Sequence, residues 1–344
     1  MSQSLTDCIG DVFKAGKPED IEWLDWLISH QLDQLPMPGS GATLARWQSL
    51  AKVAEFDLSL AKHYEGHTDA LAIIGEIGDP QQVNWHGAWG VWASESPGGC
   101  AILQNTADGH VCISGVKLWC SGALTASQAL VTAWNADSDV PQLVAVRLKQ
   151  PNISVDVKHW KAVGMADSLS VKVMFDNVPC TGVGKPGAYV TRPGFWQGGA
   201  GVAACWLGGA MGIASTLQES LQLSGPSHDH GNTSVFKLAA LGKAYLAISH
   251  TTAMIQSAAA WVDKYPAADA SRVALAARLS AEQCAKTVID VVGQAMGASP
   301  FCLDEKFARA TADLPVFIRQ SHAEKDFAVL GERVTEKQFE PWAL

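Results

Sequence analysis

The spacing of apolar residues changes twice along the chain, and this change limits the possible folds more than any other feature. Apolar residues recur every three or four positions up to residue 80, alternate in short runs between Ala88 and Phe175, and return to helical spacing after Gly187. Short strands without helices between them favour an antiparallel sheet over a parallel α/β fold. The sequence therefore predicts an α+β protein with an N-terminal helical segment (1–84), a central antiparallel β domain (85–186) and a C-terminal bundle of long helices (187–344).

Composition supports a folded chain and argues against several kinds of partner. Apolar residues make up 48% and charged residues 17%, which is enough material for a buried core. The net charge is −9 and there is no run of Lys or Arg, so nucleic acid and anionic membrane surfaces are not expected partners. The eight cysteines are scattered without a CxxC pair, and no cleavable signal segment is evident. We therefore predict a cytoplasmic protein with free thiols.

Residues 195–214 carry no charge and are long enough to cross a bilayer. Six glycines dilute their hydropathy, and neither a basic flank nor an aromatic belt frames them. The segment therefore predicts a closely packed, buried helix and no membrane span.

Five segments, taken in order, resemble motifs of the acyl-CoA dehydrogenase family. The first four are residues 91–99 (VWASESPGG), 114–122 (SGVKLWCSG), 163–179 (VGMADSLSVKVMFDNVP) and 294–298 (QAMGA). The tail from Asp313 to Gly331 has the outline of the family's terminal catalytic segment. No single motif is enough to assign the family, but five motifs in the family's order and at similar spacings are. The chain is identified as a divergent member of that family over about Ala51 to Gly331.

The resemblance implies an FAD-binding fold in which the flavin ring lies between the β domain and the C-terminal bundle, with a second subunit completing the dinucleotide site. Ser94 matches the position near flavin N1/O2, Trp119 the aromatic beside the ring, and Ser121 the hydroxyl that donates to flavin N5. Such donors stabilise the reduced flavin and orient its ring. The ordinary alternatives are a turn role for Ser94 and a core role for Trp119.

The second half of the implied cofactor site is the 294–298 segment. Gln294, Gly297 and Ala298 match residues that meet the adenine and pyrophosphate half of FAD. The competing interpretation is structural, because a Gly-Ala pair after a long helix is also an ordinary C-cap.

The catalytic Glu of the family is missing from this chain. Alignment forward from Gln294 places Ser321 at its position, and alignment backward from Gly331 places Gln320 there. Some family members carry the base at the start of the Gly/Ala-rich helix, near Gly198 in this chain, with Gly199 where an Arg is often found. None of these residues can take up a proton at neutral pH.

Three interpretations follow from the missing base. In the first, His322 or Glu324 replaces it in a shifted geometry, although His322 is also spaced to pair with Asp326 one helical turn later. In the second, the protein is a flavin monooxygenase of the same fold, supplied with reduced flavin by a separate reductase. In the third, catalysis is lost and the chain is a binding subunit.

These observations lead to one primary hypothesis. It is an FAD-dependent oxidoreductase that acts on the CH–CH group of an acyl-CoA thioester or related small molecule, as a homodimer or homotetramer. The implied electron partner is an electron-transfer flavoprotein or a flavin reductase. The pair His228 and His230 lacks two further ligands at recognisable spacing, so no metal site is predicted.

Overall fold

A computed structural model describes residues 4–83, 86–105, 111–135, 139–223 and 231–335, with the backbone alone at 105 and 231–234. Two compact units divide the chain. The first contains Met1–Met37, Ser59–Ala162 and Ala166–Phe195, and the second contains Pro38–Leu58, Val163–Met165 and Trp196–Leu344. Trp85, where the β domain is predicted to begin, lies outside the described residues. The three predicted domain boundaries therefore stay predictions.

The first unit holds the strands and four of the helices. Its helices are α1 (Leu5–Ala15), α2 (Trp23–Ser29), nearly all of α4 (Leu58–Ile77) and α5 (Ala188–Thr191). Its strands are β1 (Trp89–Trp92), β2 (Ala101–Asn105), β3 (Val111–Cys120), β4 (Gln128–Asn135), β5 (Gln142–Arg147), β6 (Ile153–Asp156), β7 (Val171–Pro179) and β8 (Thr181–Val183). A short 3₁₀ turn at Ala166–Ser168 precedes β7.

The sheet is mixed. Its order is β6-β7-β3-β2-β4-β5-β8, and β1 pairs with β4. Five of the seven strand pairings among the described residues are antiparallel, but β4 runs parallel to β1 and to β2. The chain reverses direction after β3 and joins the far side of β2, which makes β4 parallel to β2. The α+β class is confirmed, and the expectation of a purely antiparallel sheet is corrected at these two pairings.

Both faces of the central strands are buried, which explains their continuous apolar sequence. On β4 and β5, Leu130 and Leu143 pack with Ile73 of α4. The alternate residues, Val131 and Val144, pack in a second core on the opposite face. A strand that is buried on both faces loses the alternation of polar and apolar residues that marks a half-exposed strand.

The second unit is helical. Its elements are α3 (Thr43–Phe56), α6 (Gly194–Leu223), α7 (Gly231–Lys264), α8 (Ser271–Met296), α9 (Ala298–Leu303), α10 (Glu305–Phe317) and α11 (Glu324–Val334), with a 3₁₀ turn at Ile318–Gln320. The apolar stripe of α8 is buried along its length from Ala274 to Val292. The predicted bundle of long helices is thus present in this unit.

Helix α6 contains the uncharged segment considered as a membrane span. It is the one helix in the described part of the chain that is long and apolar enough for one, and 78% of its apolar window is buried. Glycines on one side allow α3 to approach closely: a Cβ on Gly208 would lie 2.1 Å from the carbonyl oxygen of Ala51, and one on Gly212 would lie 2.9 Å from that of Glu55. These contacts agree with a helix packed inside a protein core.

The close approach of α6 to α3 predicts different outcomes for two glycines of one helix. Gly208→Ala should lower the free energy of unfolding by about 2 kcal/mol or more, because the added methyl group overlaps backbone and forces the helices apart. Gly199→Ala is the matched control: no atom lies within 4 Å of its Cβ position, so helix propensity should raise stability by up to about 1 kcal/mol. Urea unfolding measures both changes. Equal stability of Gly208→Ala and wild type would contradict the packing described.

Candidate functional site

A distortion at the end of β3 sets the position of Trp119. The register between β3 and β7 shifts between Lys117 and Cys120, and Trp119 has a φ of +62°. A left-handed backbone costs a residue with a Cβ about 1–2 kcal/mol, and such strain concentrates at functional sites. The bulge turns the indole away from the sheet, so that its residue is 59% exposed. Trp119 is therefore not a core residue.

Ser121 is the first residue after β3, and its side chain is bonded to a second serine. Its Oγ lies 2.7 Å from Oγ of Ser170, which lies 3.1 Å from Oγ of Ser168. Ser121 also lines a small depression with Lys62, His63 and other residues of the first unit. Nε2 of His63 donates to the carbonyl oxygen of Ser168 over 3.0 Å. The end of β3 thus carries an exposed indole at Trp119 and, two residues later, a part-buried hydroxyl at Ser121.

Ser94 lies in the loop after β1, and its position depends on its neighbour Glu95. Oγ of Ser94 is 2.9 Å from Oγ of Ser96, and both are on the exposed side of the loop. Glu95 accepts hydrogen bonds from Nζ of Lys117 and Nε1 of Trp134, each over 2.9 Å, and from Thr132. The loop of Ser94 is thereby fixed to strands β3 and β4.

The charge state of Glu95 is set by the same contacts. Partial burial opposes ionisation, but the hydrogen bonds from Thr132, Trp134 and Lys117, together with the Lys117 charge, outweigh it, so the pKa of Glu95 is lowered. Lys117 has no exposed surface. A buried ammonium without a counter-ion would be costly, so the two residues depend on each other.

The segment predicted to meet the second half of FAD lies at the end of α8, in the second unit. Nε2 of Gln294 donates to Oδ1 of Asp290 over 2.7 Å. Gly297 has a φ of +68°, and its N–H donates to the carbonyl oxygen of Gly293 over 3.1 Å, which caps α8. Ala298 begins the short helix α9. This is the C-cap that the sequence offered as the alternative, and the cofactor role of these three residues stays a prediction.

The three residues predicted near the base position lie between α10 and α11. Gln320 ends the 3₁₀ turn, and Ser321 and His322 connect it to α11. Nδ1 of His322 is 3.5 Å from Oδ1 of Asp326, its backbone N–H donates to Oδ2 over 3.0 Å, and its side chain is 70% exposed. Ser321 also approaches Asp326. The structure thus contains the His322–Asp326 pair that the sequence offered as the alternative to a base. The catalytic role itself stays a prediction.

Arg278, which sequence reasoning missed, links the start of α6 to the turn at Gln320, the two regions where the family places its base. Arg278 of α8 donates from Nη1 to the carbonyl oxygen of Gly199 and from Nη2 to that of Gln320, each over 2.9 Å. Its guanidinium group also lies over the ring of Trp206, 4.9 Å from the ring centroid. A guanidinium group therefore bonds the backbone next to both places where the family pattern puts a carboxylate. Arg278 lies among the apolar residues of α8, and its position in the sequence did not predict these contacts.

Besides Asp326, a buried carboxylate occurs on α8. Glu282 of α8 is 2% exposed, and its Oε1 is bonded by Lys286 and lies 3.4 Å from Nη2 of Arg319. Burial opposes ionisation, but hydrogen bonds from Lys286 and Ser321 and the charges of Lys286 and Arg319 outweigh it, so the pKa of Glu282 is lowered. A buried carboxylate held by two cations is a weak base. Glu324, the other predicted substitute, is exposed in the first turn of α11.

No cluster of three or more potential metal ligands occurs among the described residues. His228 and His230 lie in the stretch 224–230, outside them.

Solved structures with similar folds are numerous. Butyryl-CoA dehydrogenase from Megasphaera elsdenii superposes with a TM-score of 0.78 at 17% identity, covering 96% of each chain. TdsC from Paenibacillus sp. A11-2, in complex with FMN and indole, gives 0.74 at 18% identity over 92% of this chain and 88% of that one. The methanesulfinate monooxygenase MsuC from Pseudomonas fluorescens gives 0.70 at 16% identity over 88% and 84%.

Sequence comparison finds less. No protein-family model and no curated protein matches the chain. At these identities, the structural matches establish the fold alone. The chain has the acyl-CoA dehydrogenase fold, which also serves flavin monooxygenases, and the resemblance inferred from the motifs is confirmed at that level.

The Lys117–Glu95 pair predicts non-additive effects on stability. Glu95→Gln should lower the free energy of unfolding by about 3 kcal/mol, because it leaves a buried ammonium without a counter-ion. Lys117→Met should cost less, about 2 kcal/mol, since solvent reaches the Glu95 carboxylate. The double variant should lose less unfolding free energy than the two single variants lose together. Additive losses in urea unfolding would show that the pair is not coupled.

The lowered pKa of Glu95 gives this prediction a pH dependence. The stability contributed by ionised Glu95 is fully present above the ordinary carboxyl pKa of about 4.3 and is lost as the pH falls through the lowered folded value. The difference in unfolding free energy between wild type and Glu95→Gln should therefore narrow below about pH 4.3. A difference that stays constant from pH 7 to pH 3 would contradict the ionised pair.

Proposed function

We propose that this chain is a flavin-dependent oxidoreductase whose flavin ring binds at the end of β3. The observation that carries the proposal is the exposed, strained Trp119, followed two residues later by the part-buried hydroxyl of Ser121. A flavin ring presents a flat apolar face and a polar edge, which fit an indole and a hydroxyl donor. TdsC, which has the same fold, has been crystallised with FMN.

Each proposed contact has a distinct role. Trp119 would cover the ring and exclude water, Ser121 would donate a hydrogen bond at N5, and Ser94 would present a hydroxyl or backbone donor near N1/O2. Donors at these atoms stabilise the negative charge of a reduced ring. Bound flavin would supply the two-electron chemistry, and the protein supplies binding and orientation.

The form of the flavin is a separate question. The sequence predicts FAD through Gln294, Gly297 and Ala298. In the structure Gln294 is bonded to Asp290, whose carboxylate would repel a diphosphate. This contact favours FMN, while FAD stays the sequence-based alternative.

Of the activities open to this fold, we favour monooxygenation. Removal of an α proton needs a base, yet Gly198, Gln320 and Ser321 cannot serve, and Arg278 bonds the backbone at both positions. The monooxygenases of this fold, TdsC and MsuC, support the same choice. Oxidation of the CH–CH group of an acyl-CoA is the second candidate, supported by the match to butyryl-CoA dehydrogenase. A binding subunit without catalysis is the third.

Association of copies and location are also proposed. The first half of α7 exposes Phe236, Leu238, Tyr245 and Leu246, and a groove between this helix and α6 is mainly apolar. Exposed apolar surface of this extent supports a homodimer or homotetramer. We propose a cytoplasmic enzyme with a small-molecule substrate, in which a flavin reductase, or an electron-transfer flavoprotein for the dehydrogenase alternative, is the electron partner.

Flavin binding is the first test. Purified protein titrated with FMN and with FAD should quench flavin fluorescence and shift its absorbance. Trp119→Ala should weaken binding about tenfold or more through loss of ring contact, while Trp119→Phe should lose less. Failure of wild type to bind either flavin would reject both enzyme proposals.

The two activities need different assays. Under monooxygenation, product forms only with a flavin reductase, NADH and O₂, with indole and methanesulfinate as the first probes. Under dehydrogenation, butyryl-CoA bleaches bound flavin without O₂. Bleaching by butyryl-CoA would overturn our preference for the monooxygenase.

His322 gives a further prediction. Because its side chain is 70% exposed and paired with Asp326, His322→Ala should change turnover less than twofold and lower stability by no more than about 1 kcal/mol. Turnover in whichever assay is positive, with the melting temperature as control, measures this. Lost turnover at an unchanged melting temperature would restore His322 as the base.

A further inference from the structure

Three serine hydroxyls form a chain that ends at the proposed ring site. Oγ of Ser168 is 3.1 Å from Oγ of Ser170, which is 2.7 Å from Oγ of Ser121. Ser121 follows β3, and Ser168 and Ser170 precede β7, so residues far apart in sequence meet where these paired strands end.

The first member of the chain is held firmly. Ser168 is 1% exposed. Its carbonyl oxygen accepts hydrogen bonds from the Gly122 N–H over 3.2 Å and from Nε2 of His63 over 3.0 Å. These bonds fix Ser168 to the end of β3 and to α4.

The burial of Ser168 decides in which direction the first of these hydrogen bonds is donated. In the described part of the protein, Ser170 is the one polar partner of the Ser168 hydroxyl. A buried donor left without an acceptor is costlier than an unused lone pair, so the Ser168 proton goes to Ser170. A hydroxyl that already accepts one hydrogen bond is the better donor of the next, which favours donation from Ser170 to Ser121. With this direction, the proton of Ser121 points away from Ser170.

We infer that Ser168 and Ser170 are positioning residues that commit the Ser121 hydroxyl to donate outward, to an acceptor atom on the edge of the bound ring. This inference rests on the proposed function. It specifies the ligand chemistry at this point: a ring atom with a free lone pair, such as an unprotonated ring nitrogen. A hydroxyl oriented in advance also binds with less loss of rotational freedom than a free one.

The test compares FMN with 5-deaza-FMN, in which a C–H group that cannot accept a hydrogen bond replaces N5. Dissociation constants for both are measured by fluorescence titration, so no activity is needed. Wild type should bind FMN about fivefold more tightly, the typical net value of one hydrogen bond. Ser121→Ala should remove this preference. Ser168→Ala should reduce it to about twofold, because Ser121 can then donate to Ser170. Ser170→Ala should reduce it similarly, because no neighbour then orients the Ser121 hydroxyl.

Two controls separate positioning from general damage. Ser170→Thr keeps the hydroxyl and should retain the preference, and Ser29→Ala removes a serine hydroxyl that bonds the carbonyl oxygen of Trp26 elsewhere in the unit. Melting temperatures check that each variant is folded. If Ser168→Ala and Ser170→Ala keep the wild-type preference while Ser121→Ala loses it, the positioning role is wrong and the flavin site stands. Absence of FMN binding to wild type would instead reject the proposed function.

Discussion

The buried ammonium group of Lys117 is the interaction on which the geometry of the proposed ring site depends. It lies inside the first unit without exposed surface and is bonded to Glu95 and Thr132. One charge thus ties β3 to β4 and to the loop that carries Ser94. The register shift that turns Trp119 outward begins at this same residue. Strain of about 1–2 kcal/mol at Trp119 persists only where surrounding bonds fix the backbone, and the Lys117 network provides them.

In the second unit, the physical constraint is that Gly198, Gln320 and Ser321 occupy the described positions where the family pattern places its base. Glycine and serine occupy the expected positions, Arg278 bonds the backbone of both regions, and Glu282 is buried between cations. These groups provide no strong base where the family pattern places one, which is the reason we favour monooxygenation over oxidation by proton abstraction. An enzyme that uses O₂ at a flavin needs a shaped pocket and hydrogen-bond donors instead. We therefore favour O₂ chemistry at a flavin, which does not depend on the missing carboxylate.

Features formed by residues close together in sequence could be predicted, and contacts between distant residues could not. The change of period predicted the order of helices and strands. The strings around Ser94, Trp119 and Ser121 predicted cofactor-binding candidates, and all three residues lie in the first unit. The parallel pairings of β4 were not predictable, because alternation identifies a strand but not its neighbour. The Ser121–Ser170 bond and the bridge made by Arg278 were missed because each joins residues far apart in the chain.

The His322–Asp326 pair was easier to anticipate, since a spacing of four residues brings side chains together on one helical turn. A single turn of chain could therefore be judged from sequence. A site assembled across several strands could not, because register and bulges decide which side chains point the same way.

A crystal structure of the protein with bound FMN tests the central claim most directly. The account predicts Ser121 Oγ about 3 Å from flavin N5, with the indole of Trp119 against the ring and Ser170 still bonded to Ser121. A flavin bound elsewhere, or one whose N5 faces neither Ser121 nor Trp119, would contradict it.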